Sequence, residues 1–243
     1  MNKERPIMST QAESIKKKNE DFFQTHFDSY QSMVESLDTY KNIFRVVNKE
    51  VAGIPSLIDI GNGGVFAYDP QLVSKITAVD LFLDNLDPKK YPNNVSLKQG
   101  NALALNEPDN SYDGTLMVML IHHLAGIDCV STENNLPQCL QECFRILKPG
   151  GKLIIVESCV PAWLYWMEKM LFPVTNFLIS KFLSHPMTYQ YTRVKIQAAL
   201  HSIFGNCTTE QIPKGKYVIQ LGWKVPSIFT PVQPVLFVAF KNR

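Results

Sequence analysis

Residues 57–64, Leu57-Ile58-Asp59-Ile60-Gly61-Asn62-Gly63-Gly64, constrain this chain more than any other stretch. A short apolar run ends in an acid and turns at once into glycines. A second apolar run, Ile76-Thr77-Ala78-Val79, closes on Asp80. Glycine is needed where the backbone takes φ > 0 or passes close to a ligand. A carboxylate about 20 residues further on can accept hydrogen bonds from a ribose. The pattern predicts two adjacent parallel strands with a nucleoside-containing cofactor lying across their ends.

The residues around the loop narrow the choice of nucleoside. A dinucleotide fingerprint needs a third glycine where this chain has Phe66, and that bulk would obstruct the approach of a pyrophosphate to a helix N-terminus. Asp59 would also face phosphates unfavourably. A phosphate-free cofactor with a cationic amino-acid tail suits Asp59 better, and S-adenosylmethionine is such a molecule.

With 243 residues, the chain can bury a sizeable core as one domain carrying a lid. A net charge of +2 does not point to nucleic acid. Lys16-Lys17-Lys18 reads as a solvated face or tail. The polar N-terminus argues against a secretory signal. The five cysteines, Cys129, Cys139, Cys143, Cys159 and Cys207, form no C-x-x-C pair. That excludes a disulfide framework or zinc site as the expected reading and suits a reducing cytoplasm. Cys139 and Cys143 are spaced to share one helical face as small core residues.

Periodicity and turn residues order the elements. Phe22, Phe23, Phe27, Tyr30, Met33, Val34 and Leu37 stand near helical spacing in an N-terminal helical segment, 1–52. Strands are expected at 56–60, 76–80, 95–99, 114–121 and 152–157, with a short helix at 69–74. These make a cofactor-binding half, 53–158. A helix over 136–147 begins near Pro137 and ends on Lys148-Pro149-Gly150-Gly151. Residues 159–191 read as a helical lid or insertion. A helix over 192–204 and strands over 216–225 and 234–240 complete the chain within 192–243. Alternating strands and helices imply an α/β fold with parallel units, and the final strand pair an antiparallel hairpin.

These motifs resemble those of class I S-adenosylmethionine-dependent methyltransferases of the small-molecule type. The resemblance runs from about residue 55 to 158. It rests on Asp59-Ile60-Gly61-Asn62-Gly63, Asp80, Gly100-Asn101-Ala102, Tyr112-Asp113 with Leu120-Ile121-His122-His123-Leu124, and Leu147-Lys148-Pro149-Gly150-Gly151. It implies a Rossmann-like, seven-stranded, mostly parallel sheet with helices on both faces. It also implies that Gly61, Asn62 and Gly63 approach the methionine part of the cofactor while Asp59 faces its amino group. Asp80 would then take the ribose hydroxyls, Leu81 an adenine face, and Asn101 and Ala102 the adenine edge. Met117 would border the cofactor's tail.

Methyl transfer from a sulfonium is an in-line displacement whose main demand is alignment. A hydroxyl acceptor also needs a base, and imidazole suits neutral pH. His122 and His123 fall at the C-terminal end of the fourth strand, where ligands bind in open α/β sheets. Glu157 lies on the same edge and is placed to orient a histidine or an amine. Tyr30, Tyr165, Trp166, His185 and Tyr189 are candidates for the wall of an apolar or aromatic small-molecule acceptor. Residues 162–184 are too interrupted by Glu168, Lys169, Pro173, Asn176 and Lys181 to span a membrane. Covering substrate, lying on a membrane, packing on the sheet edge and forming a homodimer interface all remain open for this segment, and a lid is the reading adopted. No metal and no nucleic acid are expected. The competing functional readings are a cofactor-binding relative acting as a partner module, a nicotinamide-dependent oxidoreductase, and a methyltransferase acting on protein or RNA.

Overall fold

The computed structural model describes residues 37–83, 86–126, 128–182, 188–220 and 223–242, with the backbone alone for 173–182, 219, 220 and 223. Of the expected N-terminal helices only α1 (Asp38–Val51) is among them, and Tyr30 and His185 lie outside the described residues. Along α1 the apolar residues Ile43, Val46, Val47 and Val51 recur at helical spacing, and all four are buried.

Five strands, β1 (Ser56–Ile60), β2 (Lys75–Asp80), β3 (Val95–Gln99), β4 (Tyr112–Val118) and β5 (Leu147–Cys159), pair in parallel. With β6 (Thr208–Gln211) and β9 (Gln233–Phe240) they form a seven-stranded sheet ordered β3-β2-β1-β4-β5-β9-β6. β9 runs antiparallel to both β5 and β6. Strand order reverses between β1 and β4, which opens a crevice at the C-terminal ends of the parallel strands.

Side chains alternate across this sheet into two cores. Ile58, Ile60, Met117, Leu153, Ile155 and Phe237 pack with α2 (Cys129–Ile146) and α4 (Arg193–Phe204). Leu57, Ile76, Leu116, Ile154, Val156 and Leu236 pack with α1 on the other face. Covering both faces explains why the strands read as unbroken apolar runs rather than alternating ones. α3 (Ala162–Phe182) follows β5 and contributes Tyr165 and Phe172 to the α2 and α4 side.

Several predicted bounds are corrected. The helix assigned to 69–74 is a single 3-10 turn, Pro70–Leu72, and the fourth strand ends at Val118 instead of residue 121. α2 begins at Cys129 rather than near Pro137, because Asp128 makes a capping box: Ser131 N donates to Asp128 Oδ1 (2.7 Å) and Asp128 N donates to Ser131 Oγ (3.2 Å). Pro137 sits inside that helix. Leu147 to Gly151 already belong to β5, with Gly150 at φ +79° donating to Lys241 O. The antiparallel partners of the last strand are β5 and β6, not 216–225. The latter region folds as a separate hairpin, β7 (Tyr217–Gln220) and β8 (Trp223–Pro226). Thr208-Thr209-Glu210-Gln211 pairs on one side only and buries none of its residues, so no apolar alternation marked it as a strand.

Candidate active site

β1 delivers Asp59 almost wholly buried (3% exposed) beneath the glycine loop. Burial pushes its carboxyl up to about 7, against the pull of hydrogen bonding from Asn62 and Tyr68, with the nearby Asp80 adding to the rise. Asn62 is committed to the loop itself. Its Nδ2 donates to Asp59 Oδ2 (2.5 Å) and Val65 O (2.9 Å), and its Oδ1 accepts from Gly64 N (3.0 Å).

The two predicted glycines differ in what surrounds them. Gly61, at φ +73°, has the Leu120 side chain filling the space a Cβ would need. Gly63, at φ +58°, would present a Cβ only to Asp80 Oδ2, 3.9 Å away. Gly63 is therefore the glycine beside which the loop stays open.

Asp80 ends β2 and orders the turns on either side of it. Gly63 N donates to its Oδ2 (2.9 Å) and Phe82 N to its Oδ1 (3.0 Å). Burial pushes this carboxyl up as well, while the backbone N–H groups of Phe82, Gly63 and Leu81 oppose the rise. Each oxygen retains a second lone pair, so both can accept once more. Leu81 is exposed beside it (39%), an apolar surface open to a flat ring. At the end of β3, Gly100 N donates to Asp80 O (2.9 Å), which brings Asn101 and Ala102 to the same edge. Asn101 Oδ1 accepts from Leu103 N (2.9 Å), and Ala102 is buried.

This donor set fits S-adenosylmethionine. A buried carboxyl reluctant to ionise gains from an ammonium, a second carboxyl has lone pairs to spare for two hydroxyls, and Gly63 leaves room between them. Met117 is fully buried, with its Sδ 3.6 Å from Cys139 Sγ of α2. The alternation of β4 turns its side chain into the core.

A polar contact on this edge joins the turn after β4 to β5. His122 Nδ1 lies 2.7 Å from Glu157 Oε1, and Glu157 is fully buried. Glu157 also accepts from Ile121 N (2.7 Å), His122 N (3.3 Å) and Ser158 N (2.6 Å). An acceptor so surrounded by donors fixes His122 with its proton on Nδ1, which makes Nε2 the basic nitrogen. The His123 ring lies against the His122 ring, centroids 4.1 Å apart. Met119 just ahead takes φ +54°, rare for a side chain without local hydrogen-bonding groups, and Ser158 Oγ lies 3.2 Å from its Sδ. Nothing in the sequence signals that conformation.

Of the five residues expected to wall the acceptor, Tyr165, Trp166 and Tyr189 are among the described residues. Tyr165 and Tyr189 are buried, and both hydroxyls reach Glu133 Oε1 of α2 (2.6 and 3.3 Å). Lys169 and Lys195 reach the same oxygen, each at 2.8 Å. Although burial resists ionisation, hydrogen bonds from Lys169, Lys195 and Tyr165 hold Glu133 down at about 2. This hub ties α3, residue 189 and α4 to α2. Trp166 faces outward.

Sequence reasoning also passed over Glu168 of α3, which stood out only as an interruption of an apolar run. Both its oxygens accept from Gln190 N (3.1 and 3.2 Å), and Tyr189 N donates to His122 O (2.9 Å). Burial pushes Glu168 up to about 7, with the Gln190 N–H and the charge of nearby His122 pulling it back. The 188–191 segment thus sits clamped between α3 and the His122 turn. Among the described residues, no cluster of three or more His, Cys, Asp or Glu could hold a metal ion.

Residues 58–155 match the family described as a methyltransferase domain. A stretch of 99 residues is 31% identical to a demethylmenaquinone methyltransferase of Symbiobacterium thermophilum, covering 37% of this chain and 35% of that protein. Another of 120 residues is 29% identical to an uncharacterized methyltransferase-like protein of Schizosaccharomyces pombe, covering 47% of this chain and 42% of that one. The matches thus span less than half the length of these curated relatives. Among solved structures, the 1,6-didemethyltoxoflavin-N1-methyltransferase of Burkholderia thailandensis superposes with a TM-score of 0.61 at 13% identity, covering 100% of this chain and 94% of that one. That likeness is one of fold.

Proposed function

From the match of residues 58–155 to a methyltransferase-domain family, we propose that this chain is a class I S-adenosylmethionine-dependent methyltransferase that transfers a methyl group to an oxygen, nitrogen or carbon of an apolar or aromatic small molecule. The observation that carries this reading is the His122–Glu157 pair at 2.7 Å, on the sheet edge that also presents Asp59, Gly63 and Asp80. Asp59 would hold the cofactor's ammonium, Asp80 its ribose hydroxyls, Leu81 its adenine face, and Asn101 and Ala102 the adenine edge. When bound, S-adenosylmethionine supplies an electrophilic methyl on a sulfonium.

The chain's own residues supply alignment and proton removal. His122 Nε2 takes the acceptor's proton as the new bond to the methyl forms. Glu157 acts as a positioning residue, holding the imidazole in one tautomer and stabilising it once charged. His123 stacks on that imidazole and limits its swing. Glu168 positions the same turn through Gln190 and Tyr189. The apolar length of α3 after this edge favours an acceptor with apolar or aromatic surface. The likeness to the demethylmenaquinone methyltransferase of Symbiobacterium favours a lipid-like quinone precursor within that class.

The test is release of S-adenosylhomocysteine on incubation with a panel of phenols, quinols and aromatic amines. His122→Ala is expected to lower turnover about 10²–10⁴-fold while leaving cofactor affinity within about twofold. The fold should survive, because Glu157 keeps its N–H donors at Ile121 and Ser158. Equal loss of turnover and cofactor affinity would reduce His122 to a structural residue.

A further inference from the structure

From Ala162 to Phe172, α3 carries apolar residues on both of its sides, and only one side is buried among the described residues. Leu164, Tyr165, Glu168 and Phe172 face the body of the protein. Trp163, Trp166, Met167, Met170 and Leu171 are exposed at 62%, 57%, 44%, 78% and 44%. At 3.6 residues per turn these five fall in one arc opposite the packed side. An apolar stripe with that composition is costly to leave in water unless it meets something.

The placement of charge says what it meets. Between Ala162 and Phe172 the charged residues are Glu168, which turns to Gln190 N, and Lys169, which reaches Glu133 at the border of the arc with its ammonium 5.5 Å from the centroid of the Trp166 ring. Lys195 meets the same Glu133 carboxylate there. Asp128, on the same flank, is engaged by Ser131 as the cap of α2. Val130 extends the apolar surface: it is 72% exposed, and its neighbour Cys129 touches Lys169 O of α3. Tryptophan and methionine on one uncharged face, with lysines at its border, is the pattern of a helix lying in a lipid headgroup boundary. Among the described residues no helix is long and apolar enough to cross a membrane, so contact would be along the surface.

We propose that this outward face of α3 docks the protein on a phospholipid surface, with Trp163, Trp166 and Met170 inserted at the headgroup level. Docking there leaves the turn carrying His122 one helix away from the bilayer, because the opposite side of the same helix holds Glu168 and, through it, that turn. A lipid-borne acceptor then has only that helix to pass on its way to the site. That consequence rests on the proposed methyl transfer; the docking does not.

The test uses the full chain with vesicles of phosphatidylcholine and phosphatidylglycerol, read by flotation and by tryptophan emission. Two of the three tryptophans belong to the face, so binding is expected to shift emission to the blue. The triple variant Trp163→Ser, Trp166→Ser, Met170→Ser is expected to keep the wild-type melting temperature and lose vesicle affinity at least tenfold. Failure of the wild type to float, or equal binding by the variant, would overturn the proposal. So would a wild-type dimer that the variant dissociates, which gives the face to a second copy. Tryptophans already shielded from acrylamide without vesicles would give it to residues 1–36 of the same chain. Because binding is read without any acceptor, failure of docking and failure of the methyl-transfer reading are separate results.

Discussion

Asp59 carries its carboxyl at about 7 because it is buried, and a binding cation would reverse that cost. The sign is fixed by the direction of the shift. In the unfolded chain this group ionises near its ordinary 3.8, so its burial costs the fold stability as pH rises from there to about 7. Cofactor affinity runs the other way, since an ammonium pairs with the ionised form. Affinity for S-adenosylhomocysteine is expected to rise from pH 6 to pH 8, with proton release on binding visible in buffers of different ionisation enthalpy. Asp59→Asn should flatten that profile. Asp80→Ala should weaken binding by about 1.5–3 kcal/mol, the worth of hydrogen bonds to a charged group; unchanged affinity in a folded variant would remove it from the ribose site. Both acids were legible in the sequence because each stands at the end of an apolar run, Asp59 just before the glycine turn and Asp80 about 20 residues further on. Met119 was not, since its left-handed backbone is imposed by the exit of β4 and by Ser158.

Among elements, α3 is fastened by one acid. Glu133 of α2 takes Tyr165, Lys169, Tyr189 and Lys195 on a single oxygen. Its carboxyl is held at about 2, below the ordinary 4.5, so the stabilisation is present above 4.5 and is lost as pH falls through 2. Glu133→Gln is expected to cost about 1–3 kcal/mol and to speed amide exchange in α3 more than in α1 or the sheet. Uniform protection across the molecule would show that the hub does not govern α3. The five parallel strands, the last strand and α4 could be located from apolar runs and turn residues, which are local signals. The hub could not, because it joins residues 133, 165, 169, 189 and 195 through tertiary contact alone. The start of α2 was misplaced for a related reason: Pro137 is a strong local signal, and Asp128 with Ser131 overrode it. Tyr165 and Tyr189 read equally well as core or as substrate wall until their partner was known.

For the whole molecule, the sheet order β3-β2-β1-β4-β5-β9-β6 places five strand ends on one edge, and the polar groups with spare capacity gather there. The glycines and acids of that edge were readable in the sequence, since such residues at strand ends are demanded by the chemistry proposed for them. The surroundings of His122 were not, because α3 and residues 188–191 act through packing that no short motif records. The measurement that bears most directly on the central claim is calorimetric titration with S-adenosylmethionine, S-adenosylhomocysteine and NAD in parallel. Saturable one-site binding of the first two without NAD is the predicted result; binding of NAD alone, or of none of the three, would contradict it.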